Sequence, residues 1–395
     1  MKQTLTSTLM RSINSSAILD LIRQKSPITR TQIASELSVS LPTVMRIVDL
    51  LGEEDLVRHV GTDESSGGRP ASLLEYNGQA YAVIGIDLGG TKMYGAVADL
   101  SGNIQHEISI PTNLDGTDRS LELLFDLIQK LLDAPRPAGQ IIRGIGLGLP
   151  GVTLSREGIV TWVPSLGWRD FPIKDILEKR FGYSVFIEND VNLIALGELN
   201  FGAGKGAHNL VCIAVGTGIG AGIILNRALY RGFNQASGEI GYLLPNVGAL
   251  GKNYDEFGAL ENEASGLGIA RRAREYFAAN QLPLPTEDLT AEDVFAAARD
   301  GQPWAQKITR DTIDLLSMAI ANIAALLNPE LIILSGGVIR SADLLIEPIR
   351  QRIQGAIPYP PRIEASLLGS RAAVMGAIIL VLNGTSEQYI VERVF

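Results

Sequence analysis

The sequence predicts an α/β fold over most of the chain, preceded by a smaller domain of helices with a β-hairpin. From Tyr81 onward, apolar β-rich runs alternate with segments of helical periodicity, an order typical of sheets covered by helices. Before Tyr81, three helical segments precede two strand-like segments. The chain length of 395 residues is greater than the roughly 150 residues of an average domain. We therefore expect two domains, residues 1–76 and 80–395.

Composition and charge limit the classes of protein. The chain is 46% hydrophobic and 19% charged with 42 glycines, which favours compact domains over disorder. Because its net charge is −9, the chain as a whole is not expected to bind a polyanion. Residues 1–72 hold 8 Lys or Arg and 8 Asp or Glu, so they carry none of this excess. Any DNA contact is therefore expected near the N-terminus, where repulsion from phosphate is weakest.

The remaining bulk features bear on metals and membranes. Cys212 lies in the apolar run 210–215, where we expect a buried small hydrophobic side chain. One cysteine and three histidines exclude a thiolate-rich zinc site and a disulfide framework. The first residues are polar, and no apolar run reaches the roughly 20 residues of a membrane helix. We therefore expect a cytoplasmic protein that has no membrane partner.

The first helices of the N-terminal domain are marked by periodicity and capping signals. Apolar residues recur at helical spacing over Ile13–Ile22, and Ser26-Pro27 breaks the pattern. Thr29 and Gln32 have the spacing of a capping box, which predicts a helix that continues to Leu37.

A tight turn at 38–40 leads into a third helix that carries Pro42 in its first turn. This helix is predicted to end near Gly52 and to bury four apolar residues: Val44, Ile47, Val48 and Leu51. Strands are predicted at 56–60 and 71–76, with a polar loop at 61–70 between them. This order is typical of a winged helix-turn-helix domain.

In such a domain the third helix enters the major groove of DNA. The residues that we expect to face the bases or the backbone are Ser40, Pro42, Thr43, Met45 and Arg46. The loop 65–70 is a candidate wing, and its Gly-Arg-Pro sequence places Arg69 where it can enter a minor groove. The alternative is a protein-docking module followed by a linker.

The second domain is predicted from alternating strands and helices. The predicted strands are Val83–Asp87, Tyr94–Asp99, Gly144–Gly148, Val185–Glu188, Leu210–Val215, Ala221–Leu225 and Leu331–Ser335. The predicted helices are 118–133, 191–201, 265–280, 290–300, 303–327 and 371–382.

Three glycine turns follow predicted strands. In the first turn, the N–H groups of Gly89 and Gly90 are candidate donors to phosphate oxygens. Thr91 adds a hydroxyl group and Lys92 adds a cation. Asp87 is a candidate ligand for hydrated Mg²⁺. The second contains Gly216, Thr217 and Gly218, and the third contains Gly336 and Gly337. One such turn alone predicts only a hairpin, but three of them at one cleft favour phosphate binding.

Carboxylates at strand ends are candidates for sugar chemistry. Asp190, just after the strand that ends at Glu188, is placed to act as general base towards a sugar hydroxyl, and Asn189 to bind neighbouring hydroxyls. Alternatively, Asp190 caps the following helix. Glu239 and Glu261 are further candidate acceptors, although isolated glutamates are more often simply solvated.

Together these motifs resemble the ROK family (repressors, open reading frames, kinases). The resemblance covers essentially the whole chain and rests on six motifs: DLGGTK at 87–92, GLGLPG at 146–151, ENDVN at 188–192, GTGIGAGI at 216–223, GEIG at 238–241 and SGG at 335–337. It implies a two-lobed actin/hexokinase-like fold with hinges near 190–200 and 370–385. It also implies a sugar kinase or a sugar-responsive repressor, the latter with an N-terminal winged helix.

The resemblance also implies roles for individual residues. Asp190 is similar to the kinase base, and Asn189, Glu239 and Glu261 to sugar ligands. The residues similar to ATP-phosphate contacts are Gly89, Gly90, Thr91, Gly216, Thr217 and Gly218.

One departure from the family concerns zinc. Members with structural zinc have a histidine just after GEIG and three cysteines in the following loop. Here the histidine position is Tyr242, and the cysteine positions are Lys252, Tyr254 and Ala259. We therefore predict no zinc, with Tyr242 either stacking on the sugar or filling space.

We expect a sugar-responsive DNA-binding regulator, a repressor of carbohydrate genes, that acts on operator DNA as a homodimer or homotetramer. The alternative is an ATP-dependent sugar kinase, alone or as a second activity, because DLGGTK and Asp190 are intact and keep Mg-ATP as a candidate cofactor. A protein-binding scaffold is a third reading, which no feature singles out.

Overall fold

The computed structural model describes residues 7–63, 71–90, 92–112, 117–163, 166–254 and 257–385. The predicted contacts of Thr91 and of Arg69 in the wing loop lie outside these ranges.

The N-terminal domain is a small helical bundle with a three-stranded sheet. Its elements are α1 (Ser7–Lys25), β1 (Ile28–Thr29), α2 (Arg30–Leu37), α3 (Leu41–Glu53), β2 (Val57–Asp63) and β3 (Ala71–Tyr76). The strands are antiparallel in the order β1-β3-β2. The capping box of α2 is confirmed, since Thr29 N–H donates to Gln32 Oε1 at 2.8 Å and Gln32 N–H to Thr29 Oγ1 at 3.3 Å. The four predicted core residues of α3 are buried.

The first lobe of the second domain is built on a five-stranded sheet. Its elements are β4 (Tyr81–Leu88), β5 (Lys92–Asp99), β6 (Ile104–Pro111), α4 (Thr117–Leu132), β7 (Ile141–Leu149), β8 (Thr153–Leu154), β9 (Ile159–Val163), β10 (Trp168–Phe171), α5 (Ile173–Phe181) and β11 (Val185–Asn189). The sheet order is β11-β7-β4-β5-β6, and β8, β9 and β10 form a small antiparallel sheet beside it.

The second lobe has its own five-stranded sheet, in the order β14-β13-β12-β15-β16. Its elements, together with the helices that join the lobes, are α6 (Asp190–Phe201), β12 (Leu210–Val215), β13 (Ile219–Leu225), β14 (Ala228–Leu229), α7 (Ala259–Ala264), α8 (Gly266–Ala279), α9 (Ala291–Arg299), α10 (Pro303–Leu327), β15 (Leu331–Ser335), α11 (Ala342–Ile353), β16 (Arg362–Ala365) and α12 (Ala372–Thr385). The predicted strands and helices are all confirmed, with ends shifted by a few residues. Strand β6, helices α5 and α11, and several short elements were not predicted.

Helices α6 and α12 cross where the lobes join. A Cβ atom on Gly197 of α6 would lie 2.2 Å from the carbonyl oxygen of Ala372, and one on Gly376 of α12 would lie 1.9 Å from that of Leu193. The two helices therefore touch backbone to backbone, which only glycine permits at these positions. Helix α12 also packs on β4 and β7 of the first sheet, and α6 packs on β12 and β13 of the second. The crossing thus connects both sheets.

The N-terminal domain packs against this crossing. One apolar cluster contains Ile18 and Ile22 of α1 together with Met375 and Ile378 of α12. Polar contacts flank the cluster: Arg23 Nη2 donates to Asn200 Oδ1 of α6 at 2.8 Å, and Tyr81 donates its hydroxyl to the carbonyl of Glu54 at 3.0 Å.

Among the described residues, no helix combines the length and the apolar character that crossing a bilayer requires. Cys212 is fully buried, as the sequence predicts.

Candidate effector site and DNA-reading helix

The three predicted glycine turns face one cleft between the two sheets. Strands β12 and β15 are parallel neighbours in which Ala214 pairs with Ser335, so the turns at Gly216 and Gly336 leave the same edge. The first turn reaches this edge from the other lobe, since a Cβ on Gly90 would lie 3.8 Å from Thr217 Oγ1. The fold therefore brings together the turns that the sequence singled out.

Parts of these turns border open space. A Cβ placed on Gly216 or Gly337 would meet no heavy atom within 4 Å, apart from their chain neighbours. Gly336, in contrast, has a φ of 91° and lies against the backbone of Val215, where a Cβ would be 2.4 Å from the carbonyl oxygen. The N–H groups of Gly89 and Gly216 donate within their own turns, to the carbonyls of Lys92 at 3.0 Å and Gly218 at 2.9 Å, so these two predicted phosphate donors are occupied here. Beside Gly216 and Gly337 the edge still has room for a phosphate to approach the backbone.

Asn189, and not Asp190, caps helix α6. Asn189 Oδ1 accepts the N–H groups of Val191 at 3.0 Å and Asn192 at 3.1 Å, and its Nδ2 donates to the carbonyl of Gly151 at 3.1 Å. The alternative role of Asp190 as the cap is therefore wrong. Asp190 is the first residue of the helix, and its Oδ1 shares the N–H of Val191 at 2.9 Å. The sequence missed this because two adjacent residues can both cap, and only the backbone angles decide between them.

Three carboxyl groups share the cleft, and each has a raised pKa. Burial, with the nearby charges of Asp87 and Glu239, raises the pKa of Asp190 to about 8. Burial raises the pKa of Asp87 to about 6, although the positive charge of Lys92 acts to lower it. Burial also raises the pKa of Glu239. Raised pKa values of grouped carboxyl groups are typical of functional clefts, where hydroxyl ligands or cations compensate the carboxylates.

Glu261 and Tyr242 lie beside this group. Glu261 Oε2 accepts the N–H of Ile219 at 3.1 Å, so it supports the second glycine turn. Burial raises the pKa of Glu261, and Glu239 adds to this effect. Burial and then the charges of Glu239 and Glu261 raise the pKa of Tyr242. The Tyr242 side chain is half-exposed, so it does not fill the core.

Glu188 and Arg231 are functional residues to which the sequence analysis assigned no role. The Glu188 side chain is 2% exposed, and its Oε2 accepts Arg231 Nε at 2.8 Å. Its Oε1 accepts the backbone N–H of Asn189 and the side-chain amide of Asn192, both at 3.0 Å. A glutamate at the end of a buried strand indicates that a cationic or hydrogen-bonding partner lies nearby. The local sequence does not identify this partner, because Arg231 is 43 residues away along the chain.

The positions of the family's zinc ligands form a polar surface here. Lys252, Tyr254 and Ala259 line a cavity of about 400 Å³ together with Arg271. Within the described ranges, no three His, Cys, Asp or Glu side chains converge as a metal site would require. The absence of zinc stays a prediction that rests on the residue types.

Helix α3 presents the predicted DNA-reading residues. Ser40, Pro42, Met45 and Arg46 are exposed, and Thr43 is half-buried. The hydroxyl groups of Ser40 and Thr43 lie 2.8 Å apart and bond to each other. An ion pair between Arg30 and Asp49, 2.9 Å long, fixes α3 against α2. The helix therefore offers a rigid, exposed N-terminal face of the kind that enters a major groove.

We expect Arg46→Ala to weaken operator binding by about 1–3 kcal/mol, because Arg46 is an exposed cation on the face of α3 that would meet the bases. Fluorescence anisotropy with labelled operator DNA measures this loss. Arg310→Ala, an exposed arginine on α10, is the matched control and should bind as wild type does. Equal operator affinities of the two variants would show that Arg46 does not contribute to the DNA interface.

Comparison with known proteins identifies the family. Residues 83–383 match the model of the ROK family. The chain belongs to the ROK family. Residues 11–58 match the model of a winged helix-turn-helix DNA-binding domain. This ROK protein therefore carries the N-terminal domain that its first helices predict.

Individual relatives of this ROK protein fall into two groups. A glucokinase of Halalkalibacterium halodurans is 38% identical over 311 residues, which cover 75% of this chain and 94% of the relative. A xylose repressor of Caldicellulosiruptor bescii is 30% identical over 386 residues, covering 95% of this chain and 97% of the relative. A solved ROK-family transcriptional regulator, described as a homolog of the E. coli MLC protein, superposes with a TM-score of 0.82 at 27% identity. It covers 96% of this chain and 98% of its own.

Proposed function

We propose that this protein is a sugar-responsive DNA-binding repressor of carbohydrate genes. One observation carries the proposal: the DNA-reading domain packs on α6, the helix whose first turn lies in the carboxylate cleft. The similarity to a xylose repressor and to a ROK transcriptional regulator extends over the N-terminal domain, whereas the similar glucokinase matches only 75% of the chain. The chemistry of the cleft supports a polyol effector, since hydroxyl groups pair well with carboxyl and amide groups.

Helix α6 gives the effector a direct route to the DNA-reading domain. Its N-terminus holds Asp190 beside the cleft, and its C-terminal turn holds Asn200, which accepts the bond from Arg23 of α1. A sugar that bridges Glu239 of the second lobe and Asp190, where β11 of the first lobe leads into α6, favours closure of the lobes. Closure that tilts α6 also displaces α1, and with it the bundle that carries α3.

The partners of this repressor are operator DNA, a small sugar and a second copy of the chain. Palindromic operators place half-sites about one helical turn apart, so a homodimer or homotetramer presents two α3 helices at that spacing. A small change in the angle between the two helices is enough to alter operator affinity. We place the protein in the cytoplasm, where its DNA lies.

A gel shift on the DNA upstream of the protein's own gene tests the proposal. The DNA should be retarded at low salt, and one member of a panel of pentoses and hexoses should change the retarded fraction. Failure to retain DNA at low salt would exclude a regulator. DNA binding that no sugar alters would exclude the effector role of the cleft.

We expect Arg23→Ala to uncouple the two sites. The variant loses the hydrogen bond to Asn200, so the sugar-induced change in operator affinity should fall roughly tenfold, while sugar affinity stays within about twofold of wild type. Anisotropy titrations with and without sugar, together with calorimetry, separate the two quantities. Lys25→Ala is the control, because Lys25 lies on the same helix and pairs with Glu36 inside the N-terminal domain. An unchanged sugar response in Arg23→Ala would exclude this route.

The second candidate function is an ATP-dependent sugar kinase, which the intact cleft favours. Gly216 and Gly337 border open space near Gly90, which supports a nucleotide phosphate there, and Asp87 would hold hydrated Mg²⁺. Asp190 would accept the proton of the sugar hydroxyl that attacks phosphate. A coupled ADP-release assay over the sugar panel tests this function. Turnover that disappears in Asp190→Ala supports it, and no turnover with any sugar removes it.

A further inference from the structure

Residues 230–238 form a closed loop of the second lobe, which we call the strap. Its ends are tied to strand β13, because Tyr230 N–H donates to the carbonyl of Ile223 at 2.8 Å and Ala221 N–H to that of Gly238 at 2.7 Å. A third bond closes the loop on itself, from Ser237 N–H to the carbonyl of Arg231 at 3.0 Å. The strap is therefore attached to the second lobe as a unit.

The side chains of the strap bind the first lobe in two places. Arg231 Nε lies 2.8 Å from Glu188 Oε2, at the end of β11. Gln235 Nε2 donates to Glu157 Oε2 at 2.8 Å, and Gln235 Oε1 accepts the N–H of Ser155 at 3.0 Å, in the turn between β8 and β9. The three bonds cross the mouth of the cleft from one lobe to the other.

We propose that the strap is a latch that holds the lobes together before sugar binds, and that Arg231 is the positioning residue of the effector site. Arg231 holds Glu188, and Glu188 in turn holds the backbone N–H of Asn189 and the amide of Asn192. The sugar-binding part of the inference rests on the proposed function, whereas the latch itself does not.

Burial makes the loss of one partner of the Arg231–Glu188 pair costly. Surface ion pairs contribute little, but the side chain of Glu188 is 2% exposed and that of Arg231 is 29% exposed. Loss of either partner would leave an uncompensated charge out of water, which favours opening of the cleft so that water can reach it. The intact pair therefore shifts the equilibrium of the lobes towards the closed arrangement, which bound sugar favours further.

Gln235 adds a second sign that the strap is held in place. Its φ of 55° is in the left-handed region, which is unfavourable for residues other than glycine. The two hydrogen bonds of its side chain to the first lobe compensate for this conformation, and they exist only while the lobes are close. Release of the strap would allow the backbone of Gln235 to relax.

The strap also determines the position of Glu239. Gly238, the last residue of the strap, has a φ of 89°, and a Cβ there would lie 1.8 Å from the carbonyl oxygen of Ala221. Glu239 follows at once, so its carboxyl group depends on where the strap ends. Because the latch and a bound sugar favour the same closed arrangement, each should strengthen the other.

Electron-resonance distances between spin labels test the latch in the full-length chain. The labels go on Glu122→Cys in α4 of the first lobe and Arg310→Cys in α10 of the second, both exposed positions. Cys212 is fully buried and should not react with the label. Without sugar, the parent protein should give a narrow distance distribution, and Arg231→Ala should give a broader one whose mean is displaced. Gln235→Ala should shift it in the same direction by less.

Two further variants serve as controls. Arg227→Ala should leave the distribution unchanged, since Arg227 lies between β13 and β14, just before the strap, and its side chain donates to the carbonyl of Ala207 in its own lobe. If Arg231→Ala does not fold, the neutral pair of Arg231→Gln and Glu188→Gln tests the same contact without an unpaired buried charge. Arg231→Lys should restore part of the narrow distribution. An unchanged distribution in Arg231→Ala, or in the neutral pair, would overturn the latch.

Calorimetry with the effector sugar separates the latch from the proposed function. Sugar affinity should fall about tenfold in Arg231→Ala and stay unchanged in Arg227→Ala. If the distribution broadens as expected but no sugar binds the parent protein, the latch stands and the proposed function fails. If sugar binds parent and variant equally and the distributions coincide, the proposed function stands and the latch is wrong.

Discussion

We expect Glu239→Ala to bind operator DNA as tightly as wild type does and to lose its response to sugar. Glu239 is the carboxyl group that the second lobe contributes beside Asp190, so its removal takes away the contact through which sugar would draw the lobes together. Loss of a charge-assisted hydrogen bond in a partly buried site lowers affinity by about 1.5–3 kcal/mol, which corresponds to roughly 10- to 150-fold. Anisotropy titration of operator DNA, with and without sugar, measures both quantities.

Glu292→Ala is the matched control for this experiment. Glu292 lies on α9 of the same lobe, and its side chain is exposed and forms a 3.7 Å ion pair with Arg340. This variant should respond to sugar as wild type does. A normal response in Glu239→Ala would place the effector pocket elsewhere in the protein.

We expect Asp190→Asn to stabilise the folded protein, and to do so more at pH 9 than at pH 5. Burial and the charges of Asp87 and Glu239 raise the pKa of Asp190 from the ordinary aspartate value of 3.8 to about 8 in the folded chain. The folded state therefore holds this proton more tightly than the unfolded state does. Between about pH 4 and pH 8 the wild-type protein loses stability as pH rises, because folding opposes the ionisation that the unfolded chain undergoes freely.

Asparagine removes this loss, because it does not ionise. The difference in the free energy of unfolding between variant and wild type should grow by on the order of 2 kcal/mol from pH 5 to pH 9. Urea unfolding at pH 5, 7 and 9 measures it. Asp288→Asn, at an exposed position outside the cleft, should show no such trend. A difference that is constant with pH would contradict the shared burial of the three carboxyl groups.

The sequence predicted the elements whose signals are local. The capping box at Thr29 and Gln32 and the apolar face of α3 depend on residues within a few positions of each other, and the structure confirms them. The glycine turns were predicted because each follows a strongly apolar strand. Their meeting at one cleft then follows from the parallel pairing of β12 with β15 and from the approach of Gly90 to Thr217.

The elements that were not predicted have weaker or conflicting signals. Helix α11 carries Pro348 in its interior, which usually argues against a helix. Strand β6 is an edge strand that ends at Pro111, and it alternates half-buried and exposed residues only in its second half. The contact between Arg231 and Glu188 could not be predicted, because nothing in the local sequence of a strand end indicates which distant loop supplies the cation.

The backbone contact between Gly197 and Gly376 has a mechanical consequence. Two helices that meet without intervening side chains can rotate relative to each other about the contact point, because no interdigitated side chains block the movement there. The effector cleft and the DNA-reading domain lie at opposite ends of α6, so a slight rotation about this point moves both ends in opposite directions. A larger residue at either glycine would push the two helices apart and prevent this rotation.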